Sequence, residues 1–286
     1  MSKRSSIPLY SLDSNAKQGL YLKKFSGINA EMPRVREAHR DDHYIFILQE
    51  KGDSRMMVDF REVKVKGRQV FCILPGQVHH VISVKDTDAW FVAMDVALVH
   101  EGCRQVFGQR LQPLPPMPVK RADAERISGC IGLLESLHRQ VNDSVLHQQV
   151  IRSLTDAVTG MFAATYMPLM PEGNPGGRRP AIITRQFKEL LQRSYKNMKT
   201  PSAYAAALNI SPSYLNEAVK QTTGLPVSYW IQQEIMTEAK RMLYYTDLTV
   251  KEIAYALAYE DHTYFSRLFH KTTGMPPLSF RKKYRE

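Results

Sequence analysis

The stretch "TYFSRLFHKTTGMPP", residues 263–277, repeats a pattern already present in "SYLNEAVKQTTGLPV", residues 213–227. The match extends upstream, where "TPSAYAAALNISPSYLNEAVKQTTGLP" faces "TVKEIAYALAYEDHTYFSRLFHKTTGMP". Ala205, Ala207 and Leu208 face Ala254, Ala256 and Leu257. Tyr214, Thr222, Thr223, Gly224 and Pro226 face Tyr264, Thr272, Thr273, Gly274 and Pro276, and the later copy carries one extra residue near Glu260. A chain with such a repeat must build the same small unit twice, so the local signals in each copy largely decide what that unit is.

Those signals describe a helix, a tight turn and a second helix. Thr200 is placed to cap a helix that starts with Pro201, whose missing N–H costs nothing there. Thr249 with Glu252 three residues on reads as a capping box. Ser211 before Pro212, and Asp261 in the matching place, start the second helix of each copy. Gly224 and Gly274 end it in a left-handed conformation, and Pro226 and Pro276 forbid its continuation. The alanines on each first helix permit close packing. Each copy is therefore expected to be a helix-turn-helix, over 200–224 and 249–274.

In the later second helix, Tyr264, Phe265, Leu268 and Phe269 are expected to face inward, and Thr263, Ser266, Arg267, His270 and Lys271 outward. In the earlier one Leu215, Ala218 and Val219 face inward, and Ser213, Asn216, Glu217, Lys220 and Gln221 outward. The outward sets contain side chains whose hydrogen-bonding groups match base edges: Arg for guanine, Asn or Gln for adenine, Glu for cytosine, and Ser or Thr for several. Any surface helix has a polar outer face, but two such faces in the same structural context point to double-stranded DNA. Residues 228–245 between them read as one helix of about 27 Å at 1.5 Å per residue. That is of the order of a DNA turn, about 34 Å, and suits two recognition helices reading adjacent major-groove segments.

Residues 182–285, above all "AKRML", "TVKEIAYAL" and "YEDHTYFSRLFHKTTGMPPLSFRK", resemble the DNA-binding domain of the AraC/XylS family of bacterial transcription regulators. The resemblance implies two helix-turn-helix units joined by a long helix. It further implies a ligand-sensing and dimerising N-terminal domain, a homodimer, a small-molecule effector, and activation through contacts with RNA polymerase. The residues assigned to DNA are Ser213, Tyr214, Asn216, Glu217, Lys220 and Gln221 in the first unit, and His262, Thr263, Ser266, Arg267, His270 and Lys271 in the second. There are two departures from the family: Ala258 stands where Gly is usual, and Glu234 and Ile235 stand where an Arg is frequent. In the tail "RKKYRE", Arg281, Lys282, Lys283 and Arg285 either touch phosphate or solvate the chain end.

The chain before this domain reads differently. "MPLMPEGNPGGRRP", residues 167–180, has four prolines and three glycines and no periodicity, so it is taken as a linker between a domain at 1–166 and one at 181–286. Within 20–100, "HYIFILQEKG", "SRMMVDFREVKVKGRQVFCILPG", "HHVISVK" and "AWFVAMDV" are short β-rich runs separated by turn residues. They resemble the small cupin barrel that many members of the family use as a sensor. Residues 121–140 and 144–166 are amphipathic helices with stripes at Ile127, Ile131, Leu134 and Leu137, and at Leu146, Val150, Leu154, Val158 and Phe162. They either pack on the barrel or, by family analogy, form the dimer surface. The expected fold class is therefore α+β: a cupin-like barrel with appended helices, then an all-α domain.

"HRDDH", His39 to His43, and "LPGQVHH", ending at His79 and His80, supply the candidate ligand-binding histidines. His39 and His43 fall on one face of a strand. Catalytic cupins add a carboxylate, but Gln49 is neutral and Glu50 points to the other face. These histidines are read as lining the barrel mouth, with zinc left open and no cofactor, metal ligand or catalytic residue assigned. Phe46, Leu48, Phe71, Ile73, Trp90 and Phe91 are wall or core candidates. The rival function is a metal-dependent cupin enzyme fused to a DNA-binding module; a third, non-specific packaging, would require equal affinity for all sequences.

The totals agree with a regulator that has its own core in each domain. With 286 residues, 43% apolar and 23% charged, the chain is neither a disordered nor a membrane sequence. The net charge of +11 leans to the shorter C-terminal part, where residues 171–286 hold 17 Lys and Arg against 10 Asp and Glu. A polyanionic partner follows. Cys72, Cys103 and Cys130 lack metal or disulfide spacing, and the N-terminus has no readable signal peptide, so a cytoplasmic protein with reduced thiols is expected.

Overall fold

The computed structural model describes residues 6–12, 19–27, 37–108, 113–140, 144–169 and 178–284. They belong to two compact units, one of Pro8–Met170 and one of Pro171–Glu286 together with Met1–Ile7.

The first unit contains strands β1 (Leu9–Tyr10), β2 (Leu20–Phe25), β3 (His39–Asp41), β4 (Tyr44–Val58), β5 (Arg61–Lys66), β6 (Gln69–Ile73), β7 (Val78–Met94) and β8 (Met117–Pro118). Its helices are α1 (Glu101–Gly108), α2 (Arg121–His138) and α3 (Val145–Tyr166). The strands form one sheet in the order β1-β3-β7-β4-β6-β8, with β2 also on β7 and β5 on β4. Two runs read as separate strands on each side of a turn prove continuous. β4 passes through Gly52, and β7 through Asp86, both with positive φ, and the two pair along nearly their whole lengths across register shifts. At Gly52 a Cβ would lie 2.5 Å from the carbonyl oxygen of Asp86, so the closeness of the two bent strands demands glycine.

Strand alternation gives β4 two buried faces. Tyr44, Phe46 and Leu48 pack with α1–α3 through Phe107, Ile131 and Phe162. Ile45 joins Met56 and Val58 from the far end of the same strand, together with Val63, Val65, Phe71 and Ile73. A strand whose two ends meet in one cluster must bend, so the sheet curls into a barrel-like interior. The helices are fixed to its outside by Trp90 Nε1 donating to Ser128 Oγ (2.9 Å) and by the Tyr166 hydroxyl donating to the Pro115 carbonyl (3.1 Å). Helix α1 carried no clear sequence signal. The stripe expected on 144–166 is also shifted: Ile151, Val158, Phe162 and Tyr166 are buried, whereas Leu146 is 74% exposed and Val150 also faces outward. Apolar identity alone does not say which of two adjacent stripes meets the sheet.

The second unit is helical: α4 (Arg178–Ser194), α5 (Pro201–Ala207), α6 (Pro212–Thr223), α7 (Val227–Tyr245), α8 (Val250–Ala256), α9 (His262–Thr273) and α10 (Pro277–Tyr284). Helix α4 begins inside the segment read as linker; its basic start, Arg178 and Arg179, resembled linker sequence. Every cap read from the sequence forms. Thr200 accepts from Ala203 N, Ser211 from Tyr214 N, and Asp261 from Thr263 N and Tyr264 N; Thr249 and Glu252 complete the capping box. Gly224 and Gly274 adopt φ of 77° and 82°. The paired threonines explain why the helix ending recurs. The Thr223 and Thr273 hydroxyls donate back to Val219 O and Phe269 O, 2.7 and 2.8 Å away, and lie 3.1 and 3.0 Å from the carbonyls of Leu225 and Met275 beyond the glycine. Of the alanines expected to pack, Ala205 and Ala254 are buried, but Ala207 and Ala256 are exposed.

Both inter-helix turns pass through a left-handed residue, Asn209 (φ 54°) in the first and Ala258 (φ 55°) in the second. In each the next residue closes the turn, Ile210 N to Ala205 O (3.0 Å) and Tyr259 N to Ala254 O (2.9 Å). Asn tolerates this conformation, whereas Ala in it carries a strain of about 1–2 kcal/mol.

Candidate nucleic-acid interface and histidine cluster

Helices α6 and α9 are seated by their apolar faces. Leu215, Ala218 and Val219 are buried on α6. On α9, Phe265 and Phe269 are buried, with ring contacts to Tyr259 at 5.4 Å and to Phe280 at 5.9 Å. The opposite faces are thereby turned to solvent. On α6 they expose Ser213, Glu217, Lys220 and Gln221; on α9, His262, Thr263, Arg267, His270 and Lys271.

Five residues stand differently from the sequence reading, two of them expected inside and three assigned to DNA. Tyr264, read as core, is 51% exposed and joins the outward face of α9; Leu268 is half-buried. Asn216 is half-buried, and its Oδ1 accepts the Val227 N–H at 3.1 Å, so its carboxamide oxygen caps the start of α7. Ser266 is half-buried, and its hydroxyl donates to His262 O at 2.9 Å. Tyr214 is half-buried, with the Arg179 guanidinium 6.0 Å from its ring centroid.

Helix α7 links the two copies through the threonines of their shared ending. Trp230 Nε1 donates to Thr223 Oγ1 (3.1 Å), and Gln232 Nε2 to Thr272 Oγ1 (2.8 Å). Lys199 adds a tie from before α5 to the end of α8, donating to Leu257 O at 2.7 Å; burial brings its pKa down to about 8. Arg281, a phosphate candidate, instead donates to Leu243 O (3.0 Å) in the last turn of α7 and to Leu248 O (2.5 Å) in the segment leading to α8. Ile235, at the family's Arg position, is buried. Lys282 and Lys283 are exposed, and Arg285 lies outside the described residues.

In the N-terminal unit the histidines come together around a carboxylate that sequence reasoning passed over. The register of β3 on β7 sets His39 directly opposite His79, and alternation along β3 puts Asp41 on the same face as His39. The Asp41 carboxylate lies 3.8 Å from His39 Nε2, 3.7 Å from His43 Nε2 and 3.4 Å from His79 Nε2, and all four residues are buried. Burial pushes the Asp41 carboxyl up, against the pull of His43 and His39. Burial also pushes His79 down to about 4. His80, one residue on, faces the other way and is half-buried; its Nδ1 has no hydrogen-bond partner among the described residues. Gln49, the position searched for a carboxylate, donates to the carbonyls of Gly52, Val65 and Gly67 and holds strand ends together. The signal that could have found Asp41 was the period-2 rule already applied to His39 and His43. A separate cleft, of about 500 Å³ with its open mouth, is lined by Ile47, Met56, Val65, Trp90 and Phe91.

Two family descriptions match the chain: an AraC-like ligand binding domain over residues 24–154 and a helix-turn-helix domain over residues 204–283. Among curated proteins, the uncharacterized HTH-type transcriptional regulator YijO of Escherichia coli (strain K12) is 30% identical over 106 residues, 37% of this chain and 38% of that protein. The uncharacterized HTH-type transcriptional regulator YdiP of the same strain is 24% identical over 264 residues, 88% of this chain and 84% of that one. The HTH-type transcriptional activator RhaR of Enterobacter sp. (strain 638) is 32% identical over 113 residues, 40% of each chain. The match thus spans under half the length of YijO and of RhaR, and most of YdiP.

Proposed function

We propose that this chain, which belongs to the AraC/XylS family of transcription regulators, is a sequence-specific DNA-binding regulator whose C-terminal unit reads two adjacent major-groove segments. One observation carries this: two helix-turn-helix units of the same build each turn a different set of polar side chains to solvent, on α6 and on α9. Phosphate neutralisation alone would need only positive charge. Ser213, Gln221 and Glu217 on one helix, and Thr263, Arg267 and His270 on the other, offer distinct donor and acceptor patterns instead. Tyr264 and Lys271 extend the second face.

The N-terminal unit senses a small-molecule effector, which acts through its different affinities for two arrangements of the DNA-binding domains. The exposed Leu133, Leu146 and Val150 on α2 and α3 favour a homodimer that covers them. RhaR is named an activator, which supports activation for this chain as well; contact with RNA polymerase is the route that the family resemblance implies. No helix among the described residues is long and apolar enough to cross a membrane. A regulator that reads genomic DNA acts in the cytoplasm, and that is the location proposed. The enzyme reading has no support in the relatives, which are named regulators.

The test is selection of fragments of the source genome by the purified full-length protein, followed by sequencing. Enriched sites should share two short motifs about 10 base pairs apart, centre to centre. Uniform binding of all fragments would sink sequence-specific reading; a single motif would sink reading by both helices.

A further inference from the structure

We propose that His39, Asp41 and His79 bind one first-row divalent transition-metal ion, of the zinc or ferrous class, in the N-terminal domain. One ligand atom from each of the three residues lies within 4.8 Å of the other two. The two imidazole-to-carboxylate distances are 3.8 and 3.4 Å. Nitrogen and oxygen ligands that sit about 2.0–2.1 Å from one metal ion in a tetrahedral shell are themselves separated by about 3.3–3.5 Å. The His79 separation, to Asp41 Oδ2, is at that spacing; the His39 separation, to Asp41 Oδ1, exceeds it by a few tenths of an ångström, which a small side-chain rotation closes. Both are longer than the roughly 3.2 Å limit of a direct N–H···O bond.

The outer contacts of the rings say which nitrogen faces Asp41 with a lone pair. His39 Nδ1 lies 2.9 Å from the Glu37 carbonyl, and His79 Nδ1 lies 3.1 Å from the Gln77 carbonyl. A carbonyl only accepts, so each Nδ1 carries the proton and each Nε2 of the neutral ring is left as an acceptor. His43 is held the same way, its Nδ1 3.1 Å from Asp42 Oδ1. In the neutral rings, acceptor edges therefore converge on a buried carboxylate. Imidazoles oriented by a carbonyl on the far nitrogen are the outer shell that metal-bound histidines show. Two nitrogens and one carboxylate oxygen suit borderline first-row ions rather than calcium or magnesium, which favour all-oxygen shells. His43, 3.7 Å from Asp41 on its other side, orients the carboxylate or completes the shell. Three protein ligands leave a coordination position open to a small donor molecule.

The experiment uses the full-length protein, stripped with chelator and titrated calorimetrically with Zn²⁺, Fe²⁺ under anaerobic conditions, Co²⁺ and Mg²⁺, with cobalt followed also by its visible absorption. One equivalent of Zn²⁺, Fe²⁺ or Co²⁺ should bind and Mg²⁺ should not, and the ranking identifies the ion. Asp41→Asn and His79→Ala should each weaken binding by at least about tenfold, and His80→Ala should leave it unchanged. Circular dichroism of each stripped variant shows whether it is folded; the isosteric Asp41→Asn carries the test if His79→Ala is not. Binding below a tenth of an equivalent, or binding that a folded Asp41→Asn retains in full, overturns the proposal.

Discussion

The two helix-turn-helix units share a backbone and differ in what fills it. The first packs small aliphatic residues, Leu215, Ala218 and Val219, under α6; the second packs aromatic rings, Phe265 and Phe269, under α9. The first turns through Asn209, which suits a left-handed backbone, and the second through Ala258, which does not. The second compensates with stronger ends: a full capping box on α8, and an Asp261 carboxylate that accepts two N–H groups at the start of α9, where a single Ser211 hydroxyl serves α6. The reading surfaces diverge as well. Arg267 is free to reach a base edge from α9, whereas Asn216 on α6 is tied to α7. A repeated sequence can therefore preserve the scaffold while core, strain and surface chemistry drift apart.

The largest test concerns the cores. Phe265→Ala should destabilise the protein by about 3–5 kcal/mol, and Leu215→Ala by about 2–5, in urea denaturation of the full chain. If Leu215→Ala costs as much as Phe265→Ala, the difference between the cores has no energetic weight. Next comes the reading surface. Arg267→Ala should weaken cognate DNA binding by about 1–3 kcal/mol and relax preference at one base pair. An equal loss on random DNA would reassign Arg267 to phosphate. Asn216→Ala should behave in the opposite way, costing about 1 kcal/mol of stability while base preference stays the same. A changed motif without a stability loss would return Asn216 to the reading set. The smallest effect belongs to the turns: Ala258→Gly should raise stability by about 0.5–1 kcal/mol, since it relieves strain but adds freedom to the unfolded chain. Asn209→Gly should gain less. Equal gains at both positions would show that Ala258 is not strained relative to Asn209.

Much of the helical unit could be read because its signals are local. Caps at Thr200, Ser211, Thr249 and Asp261, and the glycine endings, act within four residues, and each formed as its sequence context required. The misreadings were of partnership over distance. Tyr264 sits at a helical spacing that suits either face, and only the packing of α9 through Phe265 and Phe269 turned it outward. Arg281 looked like a free cation in a basic tail until α10 brought it to the carbonyls of Leu243 and Leu248. In the N-terminal unit, β4 and β7 were cut in two because Gly52 and Asp86 look like turn residues. In the folded sheet they are paired irregularities in one bent ladder.

By itself the sequence determined that two like helical units follow a strand-rich domain along the chain, and where each helix of those units begins and ends, because capping, turn chemistry and periodicity are short-range properties of the chain. The tertiary structure alone decided that Asp41 meets three imidazoles. That meeting depends on the register of β3 against β7, and register is set by burial across the whole sheet, since a slip of one residue would turn every side chain of a strand to its other face.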